Sequence, residues 1–438
     1  MTSFGYNTWM KTDIITLENG LKVVFVDTDA FPTLSTILLV GAGSRYENKV
    51  NNGVAHFFEH MAFKGSKKYP NSHIIAAEVE GAGGIFNAFT NKDHTGYWIK
   101  STSEHFERVT DVISDMVLNS FLLPEEIEKE KGVIVEELNL YNDTPYQKVN
   151  DIFETLLYDG NPLGLEIGGS RETVTKFSRK TFTDYMDSFY QPNNAVFVVA
   201  GGVNSTNVSK KAMVDLISDK FKNWKKGAKK EYLKVNENQK KPNLIIQYKK
   251  TEQSHFVLGF RSISRLNNKK YALAVLSAIL GGGMSTRLFK EVRERRGLCY
   301  YISTSRSLYN DVGNIYTRAG VTIDLEKTKT AINVILKEHK KILDGDVKEE
   351  ELVRAKEIIK GRFLLSLEDS FEVANYYGEK LLLEGEITHP EDYIKSLEKV
   401  NMDDVMEIAK ETFKAENLNL ALIGPVQESK QIESLLTI

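Results

Sequence analysis

The chain has 438 residues, 57 Lys and Arg against 60 Asp and Glu, and a single cysteine. This length exceeds one ordinary core and points to two or three domains. With 41% hydrophobic and 27% charged residues the composition is that of a folded globular protein, not a disordered one. A formal net charge of −3 gives no electrostatic reason to expect nucleic acid or an acidic membrane as partner. Cys299 has no second cysteine to pair with, which excludes an intramolecular disulfide and any cysteine-based metal cluster. The longest apolar runs, Thr36 to Val40 and Val196 to Ala200, are strand-sized, far below the ~20 residues that span a bilayer. The opening MTSFGYNTWMKTDIITLENG lacks the basic-then-apolar order of a secretory signal, and no arginine precedes Arg45. The expectation is a soluble cytoplasmic protein without a membrane span.

Two strands are predicted first, Gly20 to Val26 and Leu34 to Val40, rich in Val, Ile and Leu and separated by Pro-containing turn residues. Helical periodicity follows from Gly53 to Phe63. Ile85 to Thr90 and Tyr97 to Lys100 read as a hairpin around the turn residues Asn91-Lys92-Asp93. Long helices are predicted from Glu104 to Asn119 and from Pro124 to Tyr141, the latter with proline at its start, where it does least harm. Lys222 to Lys241 carries eight lysines and two glutamates with few large apolar residues and reads as a solvated linker.

Beyond the linker the pattern repeats. Gly43-Ser44-Arg45 has a counterpart in Ile263-Ser264-Arg265, 220 positions later, and YMDSFYQPNNAVFVVAGGV is echoed by VMEIAKETFKAENLNLALIGPV, with Gly201 and Gly424 223 apart. The expectation is an α+β protein of two homologous, duplicated domains, each a mainly antiparallel sheet with helices packed on one face. Their expected bounds are residues 1–221 and 243–438, joined by a linker over 222–242.

The string that carries chemistry is His56-Phe57-Phe58-Glu59-His60. At ~100° per residue the two histidines and the glutamate share one helix face while both phenylalanines can enter a core. Imidazoles at i and i+4 can grip one zinc ion, with the carboxylate placed to handle the proton of an attacking water. The order is that of the H-x-x-E-H signature. A catalytic zinc needs a third protein ligand and one open position. Glu137, on the helix Pro124 to Tyr141, is the best candidate, although spacing does not separate it from Glu136. Glu130 lies seven residues earlier on the same face as Glu137, placed to orient a ligand.

With these motifs the chain resembles the pitrilysin family of zinc peptidases, on the branch of the catalytic beta subunit of mitochondrial processing peptidase and its bacterial-type relatives. The family's ligand glutamate stands about 77 positions beyond the motif, which from His60 leads to Glu137, and its additional glutamate falls on Glu130. GGIFNAFTNKDHTGYW, NPLGLEIGGS and GGGMSTRLFKEVRERRGLCYYIS match further family strings, so the resemblance covers nearly the whole chain. It implies one zinc per chain held by His56, His60 and Glu137, with Glu59 as general base of an endopeptidase acting on extended or unfolded peptides. It further implies that a peptide adds as a strand beside Asn87 and Ala88, and that Arg293 and Tyr300 bind the substrate main chain.

Shifted by 220, the motif falls on Leu276, Ile279 and Leu280, so the second half holds no zinc. The family's peptidase chamber takes four such domains, which implies a homodimer or a heterodimer with a related two-domain chain. Where the processing peptidase carries acidic residues 10 and 14 positions beyond the ligand glutamate, this chain has Gln147 and Asp151, so a preference for basic presequences is not implied. The alternative reading is a non-catalytic homologue of the processing peptidase and respiratory-complex core type. The intact motif and Glu59 speak against it.

Overall fold

The computed structural model describes residues 9–29, 31–206, 208–427 and 429–438. Residues 1–8, where the leader reading begins, lie outside them. Two compact units form, and neither is continuous in sequence. The first gathers the chain up to Leu138 with Leu165–Leu233 and Leu365–Glu391; the second gathers Asn139–Gly164, Lys234–Leu364 and Asp392–Ile438.

In the first unit the strands are β1 (Lys11–Thr16), β2 (Lys22–Asp27), β3 (Thr33–Val40), β4 (Ile85–Thr90), β5 (Thr95–Thr102) and β6 (Ala195–Gly201), in the sheet order β1-β2-β6-β3-β5-β4. Only β2 and β6 run parallel; the other neighbours are antiparallel. Along β3 and β6 nearly every residue is buried, so these strands are continuous apolar runs rather than alternating ones, the pattern of a sheet covered on both faces. One face packs Phe25, Leu38, Tyr97 and Phe197 against the helices Val54–Ala62, Phe106–Leu118, Arg179–Phe189 and Lys210–Phe221. The other packs Val24, Ile37 and Val198 against Val373, Ala374 and Tyr377 of the helix Ser370–Glu379.

The second unit holds β7 (Asn243–Tyr248), β8 (Gln253–Ser262), β9 (Cys299–Leu308), β10 (Gly313–Thr322) and β11 (Leu418–Gly424), ordered β7-β11-β8-β10-β9. Again one pair is parallel, β7 with β11, and the rest antiparallel. Strand for strand this repeats β2-β6-β3-β5-β4, the duplicated α+β architecture expected from the echoed strings. Its second face is covered by the helix Pro145–Leu157, whose Val149, Ile152 and Phe153 meet Val257, Ala421 and Ile423. Each sheet is thus completed by a helix from the opposite half of the sequence. The Lys-rich stretch carries neither helix nor strand over residues 224–240. Among the described residues no helix is long and apolar enough to cross a membrane.

Candidate metal centre and active site

The helix Val54–Ala62 buries Phe57, Phe58 and Met61 and turns His56, Glu59 and His60 away from the core. Phe57 packs edge-on to Phe182 and Phe58 edge-on to Tyr190, with centroids 5.0 and 4.9 Å apart, which fixes the rotation of the helix. Its first turn starts at Gly53, at φ 98°, where no side chain caps it. The cap comes from outside. Glu47, 3% exposed, accepts from the backbone N–H groups of Gly53 and Ala55 at 2.8 Å each and from Asn52 Nδ2 at 2.9 Å. A side chain at Gly53 would meet Gly168 O at 2.7 Å, so glycine is required for both conformation and space.

On the outward face, ligand atoms of His56, His60 and Glu137 all lie within 4.8 Å of one another. His56 Nε2 is 3.7 Å from Glu137 Oε1, and His60 Nε2 is 3.5 Å from Glu137 Oε2. A tetrahedral zinc with bonds of about 2.0–2.2 Å holds its ligand atoms roughly 3.3–3.6 Å apart, so two imidazole nitrogens and a carboxylate at these separations fit that ion. Glu137 is brought to the histidines by the helix Pro124–Asn142, and two turns earlier Glu130 Oε1 stands 2.8 Å from His60 Nδ1. The N–H on Nδ1 donates to Glu130, which leaves the Nε2 lone pair facing Glu137. Lys64 Nζ closes the row, 2.5 Å from Glu130 Oε2.

Burial, followed by the neighbouring His60, pushes His56 down to about 4, which keeps its imidazole neutral and able to ligate. For His60 burial acts downward too, but the Glu130 hydrogen bond and the charges of Glu137, Glu130 and Glu59 outweigh it and raise it. Burial would raise Glu130; its bonds to His60 and Lys64 hold it below the usual carboxylate range. Glu59 is raised, chiefly by burial with a smaller push from Glu137, against the lowering effects of Thr90 and His60. Thr90 Oγ1 donates to Glu59 Oε2 at 2.6 Å.

Asn87 and Ala88 lie on β4, which pairs with β5 along one side and ends the sheet on the other. Asn87 is exposed. In the second unit Arg293 belongs to the π-helical turn Phe289–Glu294 and Tyr300 to β9, so the two are not on one helix. They still meet: the Arg293 guanidinium carbon is 5.5 Å from the centre of the Tyr300 ring, which is 73% exposed. The positions equivalent to the motif, Leu276, Ile279 and Leu280, are buried in the helix Lys270–Gly281. Sequence reasoning missed Glu47, Thr90 and Lys64. For Glu47 there was a signal, an acidic residue just ahead of a helix whose N-terminus offers only glycine.

Residues 22–171 match the family described as insulinase (peptidase family M16), and residues 176–359 match the domain described as the peptidase M16 inactive domain. The chain is 34% identical to "Uncharacterized zinc protease YmxG" of Bacillus subtilis over 94% of its own length and 97% of the relative's. It is 31% identical to an "Uncharacterized zinc protease" of Rickettsia felis, with 94% and 97% covered. Among solved structures, a protease from Helicobacter pylori superposes with a TM-score of 0.88 at 24% identity, covering 95% of this chain and 100% of that one. A peptidase M16 inactive domain from Pseudomonas fluorescens superposes with 0.86 at 18% identity, covering 95% and 98%. These two establish the fold; the identity shared with the Bacillus protein along almost the whole of both chains establishes the family. The chain belongs to peptidase family M16, the insulinase family.

Proposed function

We propose that this protein is a zinc-dependent endopeptidase acting on extended or unfolded peptides. The observation that carries the proposal is the convergence of His56, His60 and Glu137, with Glu59 beside them on the same helix face. The site is built to hold one zinc ion, and with no ligand set at the equivalent positions of the second unit the count is one per chain. When bound, zinc supplies Lewis acidity, polarising a carbonyl and making water a better acid. The remaining roles fall to the chain. Glu59, raised by burial, takes the proton of the attacking water and passes it to the leaving amine. Thr90 holds one Glu59 oxygen, leaving the other for proton transfer. The free edge of β4 offers main-chain groups to a peptide, with Asn87 and Ala88 at its centre. Arg293 and Tyr300 serve as main-chain donors to substrate, and a second chain, the same or a related one, completes the peptidase chamber. Presequence processing is a narrower form of this activity.

The test compares zinc content and cleavage of an unfolded peptide by wild type and Glu59→Gln. Zinc should be retained in the variant and turnover should fall by about 10²–10⁴-fold. Unchanged cleavage by the variant would overturn the mechanism, and absence of zinc from the wild type would overturn the site.

A further inference from the structure

A cavity of about 480 Å³ opens in the second unit beside β9, the outermost strand of its sheet. Three arginines line it: Arg265 just after β8, Arg306 on β9, and Arg362 on the helix Glu349–Ser366. The hydroxyl residues Ser277, Thr304 and Ser305 line it as well, and no carboxylate does. Some arginines of this unit are matched by acids, Arg261 by Glu237 at 3.1 Å, Arg287 by Glu351 at 2.5 Å, Arg295 and Arg296 by Glu291 at 2.6 and 2.9 Å, whereas Arg318 and Arg354 bond to Ser303 Oγ and to the backbone oxygen of Ser285. Among the described residues Arg306 and Arg362 form no ion pair. Arg362 gives one N–H to the backbone oxygen of Gly282 at 2.6 Å, and its other donors stay available.

Of the run Gly281-Gly282-Gly283, Gly282 lines the cavity. A Cβ at Gly281 would stand 2.4 Å from Thr304 Oγ1, so only glycine lets the end of the helix approach β9 this closely. Leu308 and Ile358 add an apolar wall. The like charges of Arg306 and Arg362 on one concavity favour entry of a counter-charge, and the planar guanidinium fork matches the oxygens of a phosphate group. The volume exceeds that of a single phosphate and leaves the apolar wall for an organic part.

We propose that this cavity binds a phosphate-bearing small molecule, with Arg306 and Arg362 holding its phosphate oxygens. Condensed inorganic phosphate and a nucleoside triphosphate share this chemistry. The experiment titrates the zinc-loaded protein calorimetrically with magnesium pyrophosphate and, separately, with magnesium adenosine triphosphate. Saturable binding of one probe per chain is expected, with Kd at or below ~1 mM. Arg306→Gln/Arg362→Gln should weaken it roughly tenfold or more at unchanged zinc content, through the loss of charge-assisted hydrogen bonds. Arg306→Lys/Arg362→Lys keeps the charge but not the planar fork, and should bind with an affinity between those of wild type and the glutamine variant; should the glutamine variant melt at lower temperature, the single Arg306→Gln replaces it. The same titration of His60→Ala, which lacks a zinc ligand, should give the same isotherm and so separates this cavity from capture of zinc by the probe. Tighter binding of the nucleotide assigns the apolar wall to its organic part, and equal binding assigns the site to the phosphate chain alone. Absence of saturable binding by both probes would overturn the proposal, as would wild-type affinity in the glutamine variants.

Discussion

Thr90 Oγ1 lies 2.6 Å from Glu59 Oε2 and ties the carboxylate beside the two histidines to the last residue of the edge strand β4. The strand proposed to take a peptide and the proposed base are therefore linked by one hydrogen bond. Thr90→Val keeps the shape and removes the donor. Zinc content and KM should change little, while kcat falls about tenfold, the worth of one hydrogen bond to a charged group. Steady-state kinetics alongside metal analysis checks it; an unaltered kcat would show that Glu59 needs no such tether.

Glu130 reaches the candidate metal centre through His60, and its side chain is 4% exposed. Glu130→Gln should loosen zinc by roughly 10–100-fold, because His60 loses the acceptor that orients its ring. Competition against a chelator of known affinity measures this directly. The peptide KM of the fully loaded variant should stay near wild type.

Glu47 satisfies two backbone donors at the start of the helix Val54–Ala62 and one side-chain donor of Asn52. Glu47→Ala leaves the two backbone N–H groups buried without an acceptor, while Asn52 keeps its bond to Glu166 O, at a cost of about 2 kcal/mol. Urea denaturation should show a lower midpoint with an unchanged slope. A variant as stable as wild type would mean that water enters to replace the carboxylate.

His339 is buried against Phe260 and Phe413, and burial pushes it down to about 4 despite a hydrogen bond to Ile335 O. An unfolded histidine takes up its proton near 6.5. Between pH 6.5 and about 4 the unfolded chain therefore binds a proton that the folded unit refuses. Its contribution to stability is fully present above pH 6.5 and is lost as the pH falls toward 4. His339→Leu should flatten the pH dependence of the denaturation midpoint across this interval by up to one proton's worth of slope.

Each sheet borrows a covering helix, so neither sequence half has what it needs. Residues 1–241 made alone lack Val373, Ala374 and Tyr377 over Val24, Ile37 and Val198; residues 242–438 alone lack Val149 and Phe153 over Val257 and Ala421. Each fragment should be aggregation-prone by sedimentation, and co-expression should recover soluble protein. A monomeric, cooperatively melting fragment would contradict this account.

What could be read from sequence was what is local. The strands around Val24 and Ile37 and the helices around Phe57 and Ile113 announce themselves by periodicity, since their burial follows from neighbours a few residues away. The i, i+4 histidines fall in the same class, while Glu137 is set apart from Glu136 by the family resemblance and not by spacing; the structure places Glu130 and Glu137 at His60. Thr90 and Glu47 were hidden because their partners are chosen by tertiary packing. The helix Ser370–Glu379 shows an apolar face, yet nothing in its residues says which sheet that face will cover. Arg293 and Tyr300 meet across a π-turn and a strand, a geometry their helix-like spacing does not suggest.

The borrowed helix also sets a clock on synthesis. The six strands of the first sheet are complete once β6 has left the ribosome, but Ser370–Glu379 follows only near the end of the chain. At ~5–20 residues per second that face stays uncovered for on the order of ten seconds or more. For that interval the first half is a sheet with an open apolar side. Chaperone engagement during translation, rather than after release, is where this chain is most exposed to failure.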